Sequence, residues 1–324
     1  MNDSMMAQEM KGWLDVLCNR HPDRHVGGEG NQAAVDLFIQ TTAQAGWTVE
    51  APPFDCMEWS HGPVTLTAGG ETFKAQASPY SLPADVHLPL AKAGTFAELE
   101  TAEVQGRILL LNGELTREQL MPKNFIFYNP EEHQRIIALL ERKQPAAIIA
   151  ATGKNPSLAG AVYPFPLFED GDFNIPSVYM TDVEGARLAP FEGRLAALRF
   201  ASRRIPAQGR NAMARLRGQG TKRAVVFAHI DGKKNTPGAL DNASGVVTLM
   251  GLARLLREQP AQVPVELAAL NGEDYYAAPG QMQYLAANKG RFGDILLGIN
   301  VDGAGCKGHR TALSFYNCPD SFAD

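Results

Sequence analysis

The feature that most constrains this chain is an apolar segment that ends on a histidine. Residues 223–229 have the pattern of a buried strand and end at His229. A short loop then brings Asp241 to the start of a helix predicted over 243–258. The pattern continues with a strand, a helix and a strand, predicted at 263–270, 278–289 and 295–301. This alternation predicts an α/β fold with a largely parallel-centred mixed sheet, flanked by helices on both faces.

Side chains that can bind a metal ion follow each of these predicted strands. They are His229, Asp241, the adjacent pair Glu273-Asp274, and Asp302. Ligands of open α/β sheets bind beyond the carboxyl ends of the strands, where these side chains are expected. Each has an ordinary structural explanation on its own, and Asp241 alone reads as a helix N-cap. Together they favour a site for one or two zinc ions, since zinc takes imidazole and carboxylate ligands.

Two further carboxylates have predicted supporting roles. Asp231 lies two residues after His229, so in extended chain it points to the same face and can orient the imidazole. Glu273 and Asp274 are adjacent and point in different directions. One of them can therefore bind metal while the other accepts a proton from water.

Composition narrows the class of protein. The chain has 324 residues, 45% of them hydrophobic and 20% charged, as expected of a globular protein with one large or two ordinary domains. A formal net charge of -5 argues against nucleic acid or an anionic membrane as the main partner. The four cysteines form no C-x-x-C pair, and neither a leader peptide nor a membrane-spanning segment is recognisable. We therefore expect a cytoplasmic protein with reduced thiols.

A change in the pattern of the sequence divides the chain into two predicted domains. Residues 1–60 and 207–324 are expected to form one discontinuous core, and 61–206 a smaller inserted α/β domain. In the core, helices are predicted over 5–19 and from a cap at Asn31 to about Ala45, followed by a strand over 47–54. The insert carries predicted strands, a hairpin and a helix, at 64–75, 106–111, 130–144, 146–150 and 175–180. The sequence of the insert contains no group of charged residues comparable to the one in the core.

The motifs around the predicted site resemble those of the M28 family of zinc aminopeptidases. They are His229-x-Asp231, Gly238-Ala239-x-Asp241-Asn242-Ala243-Ser244-Gly245, the acidic pair, and Asn300-Val301-Asp302-Gly303. The resemblance covers residues 211–305 and touches the segment from Arg24 to Asn31. The segment from about 60 to 205 resembles the protease-associated (PA) insert of many members. Related members act as glutamate carboxypeptidases or glutaminyl cyclases.

The resemblance implies a role for each candidate residue. His229 and Asp302 would bind a first zinc ion, Asp241 would bridge two, Asp274 would bind the second, Glu273 would be the general base, and Asp231 would support His229. A cis peptide is expected between Asp241 and Asn242. The implied activity is removal of N-terminal amino acids from peptides, by a water activated at the metal.

The chain departs from the family pattern in two places. Its acidic pair is Glu-Asp where Glu-Glu is commoner, and no histidine follows Asp302 at the family's distance, since His309 comes too early. One complete zinc site is therefore expected. The chain would be a piece of a longer protein, would complete its site in a homo-oligomer, or would be impaired. A degenerate fold that binds peptide or protein, and a single-zinc glutaminyl cyclase, are the alternative functions.

Overall fold

The computed structural model describes residues 3–154, 162–259, 261–310 and 312–319. The chain divides into two compact units. Unit 1 comprises Met1–Asp55, Gln208–Tyr275 and Pro279–Asp324, and unit 2 comprises Cys56–Ala207 and Tyr276–Ala278. The sequence-based boundaries fall after residues 60 and 206, and the identity of the insert as a PA domain stays a prediction.

The regular elements are numbered in chain order. The α-helices are α1 (Asp3–Asp15), α2 (Glu29–Gln44), α3 (Phe96–Thr101), α4 (Glu131–Lys143), α5 (Asp182–Leu188), α6 (Ser244–Glu258) and α7 (Pro279–Ala287). The strands are β1 (Thr48–Glu50), β2 (Pro53–His61), β3 (Thr65–Ala68), β4 (Glu71–Phe73), β5 (Gln76–Ala77), β6 (Ala84–Ala93), β7 (Ile108–Leu111), β8 (Ala147–Thr152), β9 (Ser177–Thr181), β10 (Leu195–Phe200), β11 (Ser202–Arg210), β12 (Ala212–Leu216), β13 (Arg223–His229), β14 (Val265–Leu270) and β15 (Ile295–Asn300). The chain crosses between the units within β2 and β11, which pair as a two-stranded sheet.

Unit 1 is built on a five-stranded mixed sheet of order β1-β12-β14-β13-β15. The central strand β13 pairs in parallel with β14 and β15, whereas β12 is antiparallel to both β14 and β1. A large apolar cluster covers one face of this sheet and joins it to α1, α2 and α6. One side of α6 packs into that cluster through Val246, Leu249, Met250 and Ala253.

The opposite face of the unit 1 sheet is smaller and partly polar. Met213, Ala268 and Leu270 form a cluster there, against which Tyr284 of α7 packs. Glu266 of β14 is fully buried on this face and accepts hydrogen bonds from Arg215 Nε at 2.6 Å and Tyr284 Oη at 2.5 Å. A buried carboxylate is tolerated here because charged and hydroxyl donors satisfy it.

Unit 2 contains an eight-stranded mixed sheet of order β4-β3-β10-β6-β7-β8-β9-β5. Its centre is parallel, from β6 through β9, and the strands toward both edges are antiparallel. Strands β7 and β8 are buried along their whole length, as expected for parallel strands covered on both faces. Helices α3 and α4 pack on one face, and α5 packs on the other.

Most local predictions agree with the structure. The predicted hairpin is formed by β3 and β4 around Gly69 and Gly70, and strand β13 has the predicted bounds. Two predictions were wrong. The strand expected over 47–54 is two strands, β1 and β2, divided before Pro53. Asn31 does not cap α2, because the helix starts earlier, after Gly28, and the Asn31 side chain is buried in its first turn.

The positions of thiols and helices bear on compartment and membrane contact. None of the four cysteines, all of which lie in the described ranges, forms a disulfide. No helix among the described residues is long and apolar enough to span a bilayer.

Candidate metal centre

His229 lies at the carboxyl end of β13, the central strand of the unit 1 sheet. Its side chain is 4% exposed and has acidic neighbours on both ring nitrogens. The Nε2 atom lies 2.9 Å from Asp241 Oδ1 and 3.7 Å from Asp302 Oδ2. Burial by itself would lower the pKa of His229, but Asp231, Asp241 and Asp302 outweigh burial and raise it. The histidine is therefore held by carboxylates that a cation would also attract.

Asp241 reaches this place on an irregular turn that spans Ala239–Ala243. The peptide bond between Asp241 and Asn242 is cis, as expected from the resemblance. The hydrogen bond to His229, aided by the charges of Lys233 and Arg24, lowers the pKa of Asp241 although burial opposes this.

The structure does not support the alternative of Asp241 as an N-cap, because in the described part of the chain its side chain forms no cap hydrogen bond at the start of α6. Its neighbour Asn242 is the residue whose Oδ1 accepts the backbone N–H of Gly245 at 3.0 Å, in the first turn of α6. Asn242 Nδ2 also donates to the carbonyl of Val301 at 2.9 Å. The Asn242 side chain thus fixes the turn to the end of β15, next to Asp302, and leaves Asp241 to point at His229.

Asp231 is buried, and its carboxylate holds the backbone N–H groups of the acidic pair. Its Oδ1 accepts the N–H of Glu273 at 3.1 Å, and its Oδ2 accepts the N–H of Asp274 at 3.0 Å. The distance from Asp231 Oδ1 to His229 Nδ1 is 3.7 Å, too long for a hydrogen bond. Asp231 therefore acts on His229 through its charge, while its hydrogen bonds position the turn that carries Glu273 and Asp274.

The surroundings of Asp274 disfavour the charged form of its carboxyl group. Desolvation by burial, together with the charges of Asp231 and Asp241, raises its pKa to about 7, although Lys233 and His229 pull it down. The Lys233 ammonium lies 4.0 Å from Asp274 Oδ1. Asp274 Oδ2 is buried and has no hydrogen-bond partner among the residues that the structure describes. A buried carboxylate oxygen without a partner is costly, and a bound cation would remove that cost.

Three of the predicted ligands come together closely. One ligand atom from each of His229, Asp241 and Asp274 lies within 4.8 Å of the others. Asp302 is close to His229 but does not belong to this compact group. His309 is exposed in the segment that follows β15. The donor set of one imidazole and carboxylates, one of them with an unpartnered buried oxygen, fits a divalent cation such as zinc.

Glu273 is half-buried, like its neighbour Asp274. Desolvation raises the pKa of the Glu273 carboxyl group. The charges of Asp231, Asp241 and Asp302 act in the same direction, and His229 opposes them. A carboxylate with a raised pKa beside a metal position is suited to accept a proton from water.

A network of three asparagine side chains, which the sequence analysis missed, supports the turn that leads into the acidic pair. Asn31 and Asn271 exchange side-chain hydrogen bonds of 2.9 and 2.8 Å, and Asn211 Oδ1 accepts the backbone N–H of Asn271 at 2.9 Å. All three side chains are buried. Asn271 immediately precedes Gly272, whose φ of +85° starts the turn into Glu273. Nothing in the spacing of the three asparagines links them, because they meet only when α2, β12 and β14 assemble.

Comparison with proteins of known structure concerns the fold first. The chain has the fold of two bacterial aminopeptidases of known structure. One is the aminopeptidase from Aneurinibacillus sp. strain AM-1, with a TM-score of 0.72 and 22% identity, covering 93% of this chain and 71% of that one. The other is BSAP, a zinc aminopeptidase from Bacillus subtilis, with a TM-score of 0.69 and 19% identity, covering 92% of this chain and 69% of that one. The expected α/β fold class is confirmed.

The sequence comparison adds a family match. Residues 211–320 match the model of peptidase family M28. The chain is also 26% identical over 294 residues to the "Probable lipoprotein aminopeptidase LpqL" of Mycobacterium tuberculosis. That match covers 87% of this chain but 55% of the relative, so the chain spans about half the length of the relative. The predicted M28 resemblance is confirmed over residues 211–320.

Proposed function

We propose that this protein is a zinc-dependent aminopeptidase that removes N-terminal residues from peptides. The observation that carries the proposal is the convergence of His229, Asp241 and Asp274, since Asp274 has a buried carboxylate oxygen that lacks a partner in the described part of the chain. The match of residues 211–320 to a peptidase family gives this cluster a reaction class. The names of the relatives, two aminopeptidases and one zinc aminopeptidase, support the choice of metal and of substrate end.

In this proposal His229, Asp241, Asp274 and Asp302 would hold the metal. The chemistry supplied by bound zinc is Lewis acidity, which polarises a carbonyl group and lowers the pKa of water. Asp302 completes the set from the end of β15, on the side of His229 where its carboxylate lies 3.7 Å from Nε2.

Glu273 would move the proton of the reaction. Its carboxylate takes a proton from the attacking water and returns it to the nitrogen of the leaving amine. Its raised pKa makes it a better base than an exposed glutamate. Asp231 keeps Glu273 and Asp274 in place through their two backbone N–H groups. Catalysis therefore depends on a proton acceptor that is not itself a metal ligand.

The experiment combines metal analysis with turnover. The purified chain is dialysed against a trace of zinc, its metal content is measured, and hydrolysis of aminoacyl p-nitroanilides is followed with and without a chelator. Bound zinc with chelator-sensitive hydrolysis supports the proposal. A folded protein that binds no zinc and hydrolyses nothing contradicts it and favours a binding module. Conversion of an N-terminal glutamine peptide to a cyclic product, without hydrolysis, would favour the cyclase alternative.

A further inference from the structure

Arg24 is a buried cation that contacts the loop leading to Asp241. It is 1% exposed, although arginine is rarely buried unless its charge is compensated. It opens the segment Arg24–Asn31 that the family resemblance touches, and in the described part of the chain its hydrogen bonds do not go to the candidate ligands. Its guanidinium group instead contacts backbone carbonyl groups of two separate chain segments.

The first segment is the end of the N-terminal helical region. Arg24 Nη1 donates to the carbonyl of Leu17 at 2.7 Å and approaches that of His21 at 3.4 Å. Both carbonyls belong to the turn at Val16–Arg20 and its end, which pack in the apolar core of unit 1. This side of the guanidinium group is therefore anchored to a rigid part of the unit.

The second segment is the loop between β13 and α6. Arg24 Nη1 donates to the carbonyl of Pro237 at 2.9 Å, and Nη2 donates to that of Gly238 at 2.8 Å. The carbonyl of Arg24 itself accepts the backbone N–H of Gly232 at 3.3 Å. Arg24 thus binds both ends of the loop 232–238, which begins just after Asp231 and ends just before the turn that carries Asp241.

The backbone and Arg24 are closely packed where Arg24 meets Gly238. Gly238 has a φ of +47°, and a Cβ atom there would lie 2.6 Å from the carbonyl oxygen of Asp241 and 2.8 Å from Arg24 Nη2. The charge is also matched to its place. Burial lowers the pKa of Arg24, and the nearby carboxylates of Asp231 and Asp274 oppose that effect. The guanidinium group therefore combines a fixed fork of donors with a compensating charge.

We propose that Arg24 is a positioning residue for the metal centre: it closes the neck of the loop 232–238 and so fixes Asp241 opposite His229. The proposal deepens the proposed function, since it rests on a metal bound at that centre. Arginine is required at this place because one side chain must reach carbonyl groups on both segments at once. Lysine keeps the charge but presents a single ammonium group, so it cannot bridge them in the same way.

The test compares Arg24→Lys with Arg215→Lys in the full chain. Arg215 is a matched control because it also makes strong hydrogen bonds in unit 1, to Glu266 and Glu50, but does not contact the loop 232–238. Zinc affinity is measured by competition with a chromophoric chelator. Residues that orient metal ligands typically contribute about 10- to 100-fold to affinity, and we expect a loss of this size for Arg24→Lys only.

A second readout does not depend on zinc. Hydrogen exchange of the backbone amides in segment 232–241 is measured in the metal-free proteins, and Arg24→Lys should accelerate it about tenfold or more, while Arg215→Lys leaves it unchanged. If Arg24→Lys does not fold, Gly238→Ala displaces the same junction and should give the same two effects. Zinc affinity and exchange equal to those of Arg215→Lys would overturn the proposal. If the unchanged protein binds no zinc, the proposed function fails, and the exchange experiment still decides whether Arg24 fixes the loop.

Discussion

The sheets of the two units end differently at the carboxyl edges of their parallel strands. In unit 1 the edge carries His229 and a group of carboxylates, with Asp274 Oδ2 lacking a partner among the described residues. In unit 2 the polar side chains that end β8 and β9 are satisfied within the unit. Both edges are places where α/β sheets bind ligands, so topology alone does not distinguish them.

The threonines of unit 2 show what a satisfied strand end looks like. Thr152, the last residue of β8, is fully buried, and its hydroxyl donates to the carbonyl of Phe165 at 2.9 Å and accepts the N–H of Phe165 at 3.1 Å. Thr181, the last residue of β9, accepts the N–H of Glu184 at 3.1 Å and caps α5. The hydrogen bonds of these two threonine hydroxyls stabilise the fold of unit 2.

The difference separates groups that stabilise the fold from groups that bind and react. Buried polar atoms in folded proteins nearly always have partners, so an unpartnered one calls for an explanation. The unit 1 edge concentrates repelling carboxylates at a cost in stability, and such sites are typically functional. The comparison supports the proposal that the chemistry belongs to unit 1, and it yields predictions that test each edge.

The largest effect is expected for Glu273→Gln. Glutamine has nearly the same shape but cannot accept a proton, so kcat should fall by about 100- to 10,000-fold, the contribution of a general base. Zinc affinity should stay within a few-fold of the unchanged protein, because Glu273 is not among the proposed ligands. Steady-state hydrolysis of an aminoacyl p-nitroanilide and a zinc titration measure the two quantities.

Glu50→Gln is the control for this substitution. Glu50 lies on the edge strand β1 and pairs with Arg215 Nη1 at 2.8 Å, away from the metal centre. Its loss should leave kcat unchanged. Equal turnover in Glu273→Gln and Glu50→Gln would remove Glu273 from the role of base.

The next effect is a dependence of zinc affinity on pH. Burial raises the pKa of Asp274 to about 7 in the metal-free protein, so below that pH the folded chain keeps a proton there. A carboxylate must lose its proton to bind metal, so affinity is lost as the pH falls through 7. From this group the affinity should fall about tenfold for each further pH unit.

A change of slope near pH 7 in the plot of zinc affinity against pH would identify Asp274 as the group responsible. Zinc competition titrations between pH 5 and 8 should show the steeper dependence below pH 7 in the unchanged protein. In Asp274→Asn the overall affinity should be lower and the break absent. A break that persists in Asp274→Asn would assign the proton to another residue of the cluster.

Local sequence patterns predicted the strands and residues of the metal centre because each signal lies in a short segment. The apolar strand β13 and the turn after it both have spacing that can be read directly. The long strand β6 and the strand β10 were missed, because Pro89 interrupts the β6 pattern and β10 contains no β-branched residue. A different limit applies to Arg24 and the three buried asparagines, whose contacts span up to 240 positions.

The unit 2 edge should respond to substitution in stability alone. Thr152→Val keeps the shape of the side chain but removes both hydrogen bonds with Phe165. The free energy of unfolding should fall by about 1–3 kcal/mol, the cost of leaving buried backbone groups without partners. Chemical denaturation measures this change, and zinc affinity should stay as in the unchanged protein. A loss of zinc affinity without a loss of stability would contradict the division between the two edges.

The smallest effect is expected for Thr181→Ala. The substitution removes the hydroxyl that accepts the N–H of Glu184 at the start of α5. An N-cap contributes about 1 kcal/mol, so the melting temperature should fall only slightly. Thr181→Ser keeps the hydroxyl and should melt close to the unchanged protein, which isolates the cap from the lost methyl group. If Thr181→Ala and Thr181→Ser melt alike, this strand end is not stabilised by its cap, and the contrast with the metal centre rests on Thr152 alone.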